Sequence, residues 1–250
     1  MKPPFIEWGN LAPSIMLVTI PSTDAYDYMP EFEAPSNWRD PLKIEDLLRE
    51  KTKKFIDRAG LDALTGSVAI ISTYTQDEEG RKYCNHVISD APFKTGKTGI
   101  VTTQGDVLTR ISYVPDERAL LHVFALAVKS VPRLIGHNLY GFTLPFLLRR
   151  MLRYSIAFDE RFLPSPRYFD SNYTLDTMKA WALGNRDDEY VPMRHLSRFL
   201  FDDREIPLAF TESETFPARF ALDPEAALND LADALSLVYT VASRVYGLRA

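Results

Sequence analysis

The chain has one cysteine, Cys84, and four histidines in 250 residues. A single thiol forms no internal disulfide, so the fold must be held by its core, and such cysteine usage fits a reducing cytoplasm. No apolar run approaches the roughly 20 residues of a membrane span, so no membrane association is expected. The opening stretch MKPPFIEWGN carries Lys2 but neither an apolar core nor a small-residue cleavage site, and a cytoplasmic location is expected on that ground too. Positive charge is also in short supply: 29 Lys and Arg stand against 34 Asp and Glu, a net charge of −5. That excludes a surface coated for non-specific nucleic-acid binding, while a local basic groove stays compatible with it. His86, His122 and His195 are too scattered to suggest a metal site.

What is present suffices for an ordinary core: 46% of residues are hydrophobic, enough for a single domain over 1–250. Residues 13–20 (PSIMLVTI) are apolar and rich in β-branched side chains, which predicts a buried strand. Residues 21–41 have no period and many Pro, Asp and aromatic residues; they predict a long loop, of the kind that aromatics clamp to a surface. Over 42–60, Ile44, Leu47, Leu48, Phe55, Ile56 and Ala59 keep helical spacing, with Gly60 as the stop. The runs 67–75 and 81–89 flank QDEEG and predict a hairpin in which Cys84 is a packing residue. Two further β-like pieces lie within 98–113. Residues 114–131 open with Pro115 and Asp116 and keep Leu120, Leu121, Phe124 and Val128 on one side, which predicts a helix. The C-terminal part reads as mainly helical. LDTMKAWALG and MRHLSRFLF are short amphipathic helices, and a long closing helix starts with Asp223 as cap and Pro224 at its first position. This order predicts an α/β domain with a mixed sheet and helices on both faces.

Residues 134–150, LIGHNLYGFTLPFLLRR, read as a strand, a turn and a re-entry into a helix over 143–154. The turn carries His137, Asn138, Tyr140 and Phe142; Arg149, Arg150 and Arg153 follow on the helix. Hydrogen bonding within the turn accounts for His137 and Asn138, and helical spacing puts Phe142, Leu144, Phe146 and Leu147 in a core. In the functional alternative, His137, Asn138, Tyr140, Phe142, Arg149 and Arg150 line a groove where aromatics stack on bases and guanidinium groups hold phosphates. REKTKK (49–54) is a second basic cluster, which a solvated helix face explains equally well.

With its lead-in helix, the stretch 116–150 resembles the second motif of the DEDD-superfamily 3′–5′ exonucleases. The branch is the one related to the proofreading domain of family B DNA polymerases and to phage exonucleases. Residues 34–72 resemble the lead-in to that branch's second strand. LDTMKAW and HLSRFLF sit where its members carry an Asp-bearing helix and a later amphipathic helix, and 228–245 resemble its closing helix. The resemblance implies an RNase H-like fold and four carboxylates holding two Mg²⁺ or Mn²⁺ ions, which activate a water and stabilise the leaving oxygen. Such ligands must be anionic, because two divalent ions held close together repel strongly. Carried onto this chain, the first motif's acids fall on Thr19 and Pro21. The second motif's acid falls on Thr143, after Asn138 and Phe142 in order, and the last on Asp233, with Asn229 one turn earlier. Thr hydroxyls are weak, neutral ligands for hard cations and Pro21 offers none, so no metal cofactor is expected.

The resemblance therefore implies a degenerate exonuclease-like domain that lacks metal-dependent nuclease activity. It would bind single-stranded DNA or a protein partner, in a phage or mobile-element setting. Two alternatives stand beside it. One is an active 3′–5′ exonuclease, loaded with Mg²⁺ or Mn²⁺, whose carboxylates are displaced; Asp24 and Asp27 are the nearest acids, and DDE at 187–189 lies far downstream. The other is a protein-interaction scaffold without nucleic-acid affinity. Structurally, Asp233 shares a polar helical face with Asn229, Asp230, Ser236 and Thr240, as a solvated face would.

Overall fold

The most continuous apolar and β-branched sequence becomes the middle of a sheet. The computed structural model describes residues 11–163, 173–182, 190–201 and 216–247. In it, β1 (Ser14–Pro21) and β2 (Gly66–Gln76) pair antiparallel, and β2 is buried along nearly its whole length. A strand covered on both faces has no solvent side to alternate with, which accounts for the unbroken run VAII within it. β3 (Lys82–Ser89) closes the predicted hairpin, β5 (Val107–Val114) lies parallel to β3, and β4 (Gly99–Gln104) lies beyond β5. On the other side, β6 (Leu134–Gly136) runs parallel to β1, and β7 (Thr174–Asp176) parallel to β6. Among the described residues the sheet order is β4-β5-β3-β2-β1-β6-β7.

Helices cover both faces, as the order of elements predicts. On one face, Leu120, Leu121 and Phe124 of α3 (Glu117–Ala127) and Phe146, Leu147 and Met151 of α4 (Leu144–Arg153) pack on Ile15, Val68, Ile71 and Val87. On the other, α8 (Pro224–Tyr246) crosses the sheet, with Leu228 and Leu231 over Val18 and Ile70, and Val238 and Val241 over Ile135 and Leu175. Asp223 caps α8 through Ala226 N, with Pro224 at the first position, as read from sequence. α7 (Phe216–Leu222) and α6 (Met193–Phe201) flank α8. Three further helices are α1 (Pro41–Ala59), α2 (Asp90–Phe93) and α5 (Thr177–Ala182). β1 and β2 do not pair evenly: Val18 faces Ile70 but Thr19 faces Val68, so Ala69 is an extra residue in β2. Ala69 and Ile70 consequently both face α7 and α8, while Val68 faces α3.

The loop at 21–41 is clamped as its aromatics suggest. Phe32 meets Phe55 of α1 edge-on at 6.5 Å, Lys51 Nζ donates to Glu33 O at 2.7 Å, and a 3₁₀ turn forms at Ala25–Tyr28. Two expectations need correction. Leu175 and Asp176 of LDTMKAWALG belong to a strand, β7, with the helix starting only at Thr177; three residues paired on a sheet edge are too short to show a period. The predicted helix over 114–131 gives Val114 to β5 and ends as the 3₁₀ turn Val128–Ser130.

Arg150 is the largest departure. Placed in a solvent-facing groove by sequence, it is 2% exposed. Its Nε and Nη2 donate to the two carboxylate oxygens of Glu117 at 2.9 and 2.6 Å, and Nη1 donates to Ala63 O at 3.0 Å. Glu117 also accepts from Val68 N at 2.6 Å and from the Tyr154 hydroxyl at 2.9 Å. Guanidinium and carboxylate thus satisfy one another inside the core, which is the condition under which a buried pair is tolerated. Replacing Arg150→Leu leaves Glu117 charged and unpaired, and the expected loss is about 3–5 kcal/mol in urea unfolding; a loss below about 1 kcal/mol would contradict this role.

Under α8 a second buried polar cluster lies on β2 and β3. Ser72 Oγ is 2.8 Å from His86 Nδ1, and Cys84 Sγ is 3.3 Å from His86 Nε2. Burial lowers the His86 pKa from its ordinary value near 6.5 to about 3, so the ring is neutral. As pH falls below about 6.5 the unfolded chain takes up this proton and the folded chain does not, so stability drops between pH 6.5 and 3. His86→Gln is expected to flatten that part of the unfolding free energy against pH. An unchanged slope would show that other groups carry it.

Candidate functional site

β6 ends at Gly136, and the chain passes through His137 and Asn138 into one π-helical turn, Leu139–Thr143, that leads directly into α4. Asn138 opens the turn in the left-handed region (φ 60°, ψ 39°), which Asn tolerates better than most residues. Its carbonyl accepts from Phe142 N at 3.0 Å and from Thr143 N at 3.2 Å, and the second bond widens the turn by one residue. A Cβ at position 141 would stand 2.1 Å from Asn138 Oδ1, so any residue larger than Gly141 displaces the Asn138 side chain. That oxygen is buried with no hydrogen-bond partner among the described residues. Single π turns of this kind concentrate at functional sites.

Asp176, at the end of β7, fastens the turn. Its carboxylate accepts from Asn138 N at 3.0 Å, Tyr140 N at 3.1 Å and Met178 N at 3.0 Å. Burial raises the Asp176 pKa, outweighing these backbone donors, which lower it. From the far end of α8 the Tyr246 hydroxyl donates to Asp176 O at 2.9 Å. Sequence reasoning missed this residue as part of the site. The available signal was an Asp just ahead of a helical run, the pattern of a cap that bonds the second residue onward.

The turn's side chains face inward. His137 Nε2 lies 2.8 Å from Val191 O, and a carbonyl only accepts, so Nε2 carries the proton. Nδ1 then accepts from the Thr177 hydroxyl at 2.9 Å, and burial lowers the His137 pKa, which keeps the ring neutral. The Tyr140 hydroxyl bonds the Thr174 hydroxyl, and Phe142 packs on Phe146 with ring centres 5.5 Å apart. Arg149 is exposed, whereas Arg150 is taken by Glu117. The second basic cluster is largely neutralised within α1: Arg49 pairs with Glu45, Lys53 with Asp57 and Lys54 with Glu50.

The positions matched to metal-ligating acids are carried by β1, the π turn and α8. Thr19 pairs with Val68 and so faces the α3–α4 side, and Pro21 sits exposed at the strand end. Thr143 is 5% exposed at the end of the π turn. Asp233 is exposed on α8, near enough to β3 that its charge adds to the burial that raises the Cys84 thiol pKa. The nearby acid Asp24 is engaged: the Ser22 hydroxyl and Arg153, at 2.6 Å, bring its pKa down to about 2. Beyond Pro21 opens a cavity of about 550 Å³ lined by Ile20, Pro21, Phe93, Pro217, Phe220 and Pro224, among others, none of them ionisable. Two divalent ions need several anionic oxygens, and this donor set does not fit them. Among the described residues, no three His, Cys, Asp or Glu side chains are grouped to hold a metal ion.

Asp176→Ala strands two backbone N–H groups of the turn and one of α5. The expected cost is about 2–4 kcal/mol, with hydrogen exchange at Asn138 and Tyr140 accelerated ahead of the β2 amides. Unchanged protection at both amides would remove Asp176 from this role.

No curated protein matches the chain. The family model of the DNA polymerase family B exonuclease domain matches residues 48–174, just over half of the chain. The match runs from within α1 through the hairpin, α3, β6, the π turn and α4 to the start of β7, and leaves β1, Asp176 and α8 outside. The sheet, the helices on its two faces and the strand–turn–helix agree with an RNase H-like exonuclease architecture. The chain belongs to the family B DNA polymerase exonuclease domains, a DEDD-type family of 3′–5′ exonucleases.

Proposed function

We propose that this protein is a degenerate exonuclease domain that keeps the fold without two-metal nuclease chemistry and acts as a binding module for single-stranded nucleic acid. The observation that carries this reading is the donor set: two threonines and a proline at three of the four matched positions, with an apolar cavity beyond the first strand. Of the acids that could replace them, Asp24 is already committed to Ser22 and Arg153, and 187–189 lie outside the described residues.

Support for a single-stranded ligand comes from α5 and α6. Trp181 and Phe199 are 41% and 70% exposed and meet edge-on with ring centres 5.2 Å apart. Arg194, His195 and Arg198 stand exposed on the same helix as Phe199, and α6 carries no acid. Exposed rings beside cations are what base stacking and phosphate contacts require. The resemblance of 34–72 to the phage-like branch supports a phage or mobile-element setting, and the lone buried thiol of Cys84 supports a cytoplasmic one.

The test is an end-labelled single-stranded oligonucleotide incubated with the protein and Mn²⁺, read for both mobility and length. A salt-sensitive shift without shortening is expected, weakened about tenfold by Phe199→Ala or Trp181→Ala. Stepwise shortening would overturn the loss of chemistry. Neither shift nor shortening would overturn nucleic-acid binding and leave the protein-scaffold reading.

A further inference from the structure

On the face opposite α8, the outer side of α3 forms one wall of a groove and the turn after α4 forms the other. The groove has a volume of about 630 Å³, and none of its lining belongs to the π turn, β1 or the α5–α6 face. Its floor is apolar, with Ala119, Ala125, Leu126, Tyr154, Ile156 and Ala157. Leu126 is 54% exposed there, a large apolar side chain left in water. Around that floor stand Arg118 and His122 of α3 and Lys129 of the 3₁₀ turn that follows it; Arg118, His122 and Leu126 fall at steps of four residues and so share one helical stripe. The one acid in the lining, Asp116, caps α3 by accepting from Ala119 N at 2.8 Å and keeps its charge, so the fixed cations Arg118 and Lys129 outnumber it two to one.

The second wall is pre-built. α4 ends in a Schellman arrangement: Ile156 N bonds Met151 O at 3.0 Å, and Ser155 N bonds Leu152 O at 3.1 Å. Ser155 occupies the left-handed position (φ 55°) that glycine usually takes, so a non-glycine residue is held against its preference to direct Ile156 and Ala157 along the groove. Tyr154 is fixed from beneath by its bond to Glu117, so both walls are referred to the same buried ion pair. A rigid groove loses less on binding than one that must be ordered first.

We propose that this groove is a docking site for an acidic, apolar-anchored segment of a partner protein. An apolar floor takes leucine-like anchors, and a basic rim takes the flanking carboxylates. Charge complementarity selects this occupant: the rim is locally cationic on a chain of net charge −5, which repels a long polyanion more than a short acidic peptide. The inference is independent of the reading given above for the exonuclease site, because the two surfaces share no residue.

The test is an NMR titration of the full chain with a synthetic peptide of Leu, Glu and Asp in helical spacing, with its Lys-for-acid counterpart as control. Shifts are expected at the amides of Arg118, His122, Leu126, Lys129 and Ile156, with the acidic peptide only. Arg118→Glu with Lys129→Glu should weaken binding about tenfold, and Leu126→Asp similarly; all three side chains are exposed, so the fold is retained, as circular dichroism would verify. The proposal is overturned by shifts that lie elsewhere or are absent, by charge reversal without effect, or by a single-stranded oligonucleotide displacing the peptide from these same amides. Oligonucleotide shifts confined to α5 and α6 would leave it standing.

Discussion

The Glu117–Arg150 pair is the contact on which the α3–α4 side of the molecule depends. One carboxylate receives the guanidinium of α4, the backbone of β2 at Val68 and the hydroxyl of Tyr154, while the guanidinium reaches back to the carbonyl of Ala63. Taking two charges out of water is costly, so this geometry persists only because nearly every polar atom in it is matched. Apolar packing alone lets two helices slide over a sheet by fractions of a turn; a bidentate pair does not. α4 is therefore fixed at its C-terminal half by this pair and at its start by the π turn that Asp176 holds. The two polar anchors lie towards opposite ends of one ten-residue helix and fix it at both.

Most of the architecture could be read in the sequence because local and tertiary signals agree. Asp223 and Pro224 start α8, alternating and continuous apolar runs mark β1 to β5, and the aromatics of the long loop find α1. The failures occur where tertiary context overrides local preference. β7 has three residues and exists because β6 offers a free edge. Arg150 carries the helix periodicity of a surface residue only if its neighbours are ignored; it lies four and three residues after the interior-facing Phe146 and Leu147, so it points into the core with them.

The candidate site was legible in its residues and not in their orientation. His137, Asn138 and Tyr140 do converge, but on β7, α5 and the Val191 carbonyl ahead of α6. What gathers them is Asp176, thirty-eight residues beyond Asn138, and nothing local in HNLYGF indicates a carboxylate at that distance. The substitution pattern at Thr19, Pro21 and Thr143 is visible in sequence as missing charge. That Asp24 is held by Arg153, and that the strand end opens onto prolines and phenylalanines, needed the fold.

The extra residue Ala69 has a consequence for the sheet as a material. It divides β2 into two segments of opposite phase, so Val68 belongs to the α3 side while Ala69 and Ile70 both belong to the α7–α8 side. The two cores are therefore keyed to one another by a count of residues rather than by any single contact. Chain length through this strand is itself under constraint: an insertion or deletion between Gly66 and Ile70 exchanges inner for outer faces at one end of the sheet. A point substitution leaves that phase untouched. The alternation is a property carried by spacing, and it would persist through extensive change in the identity of the side chains that occupy it.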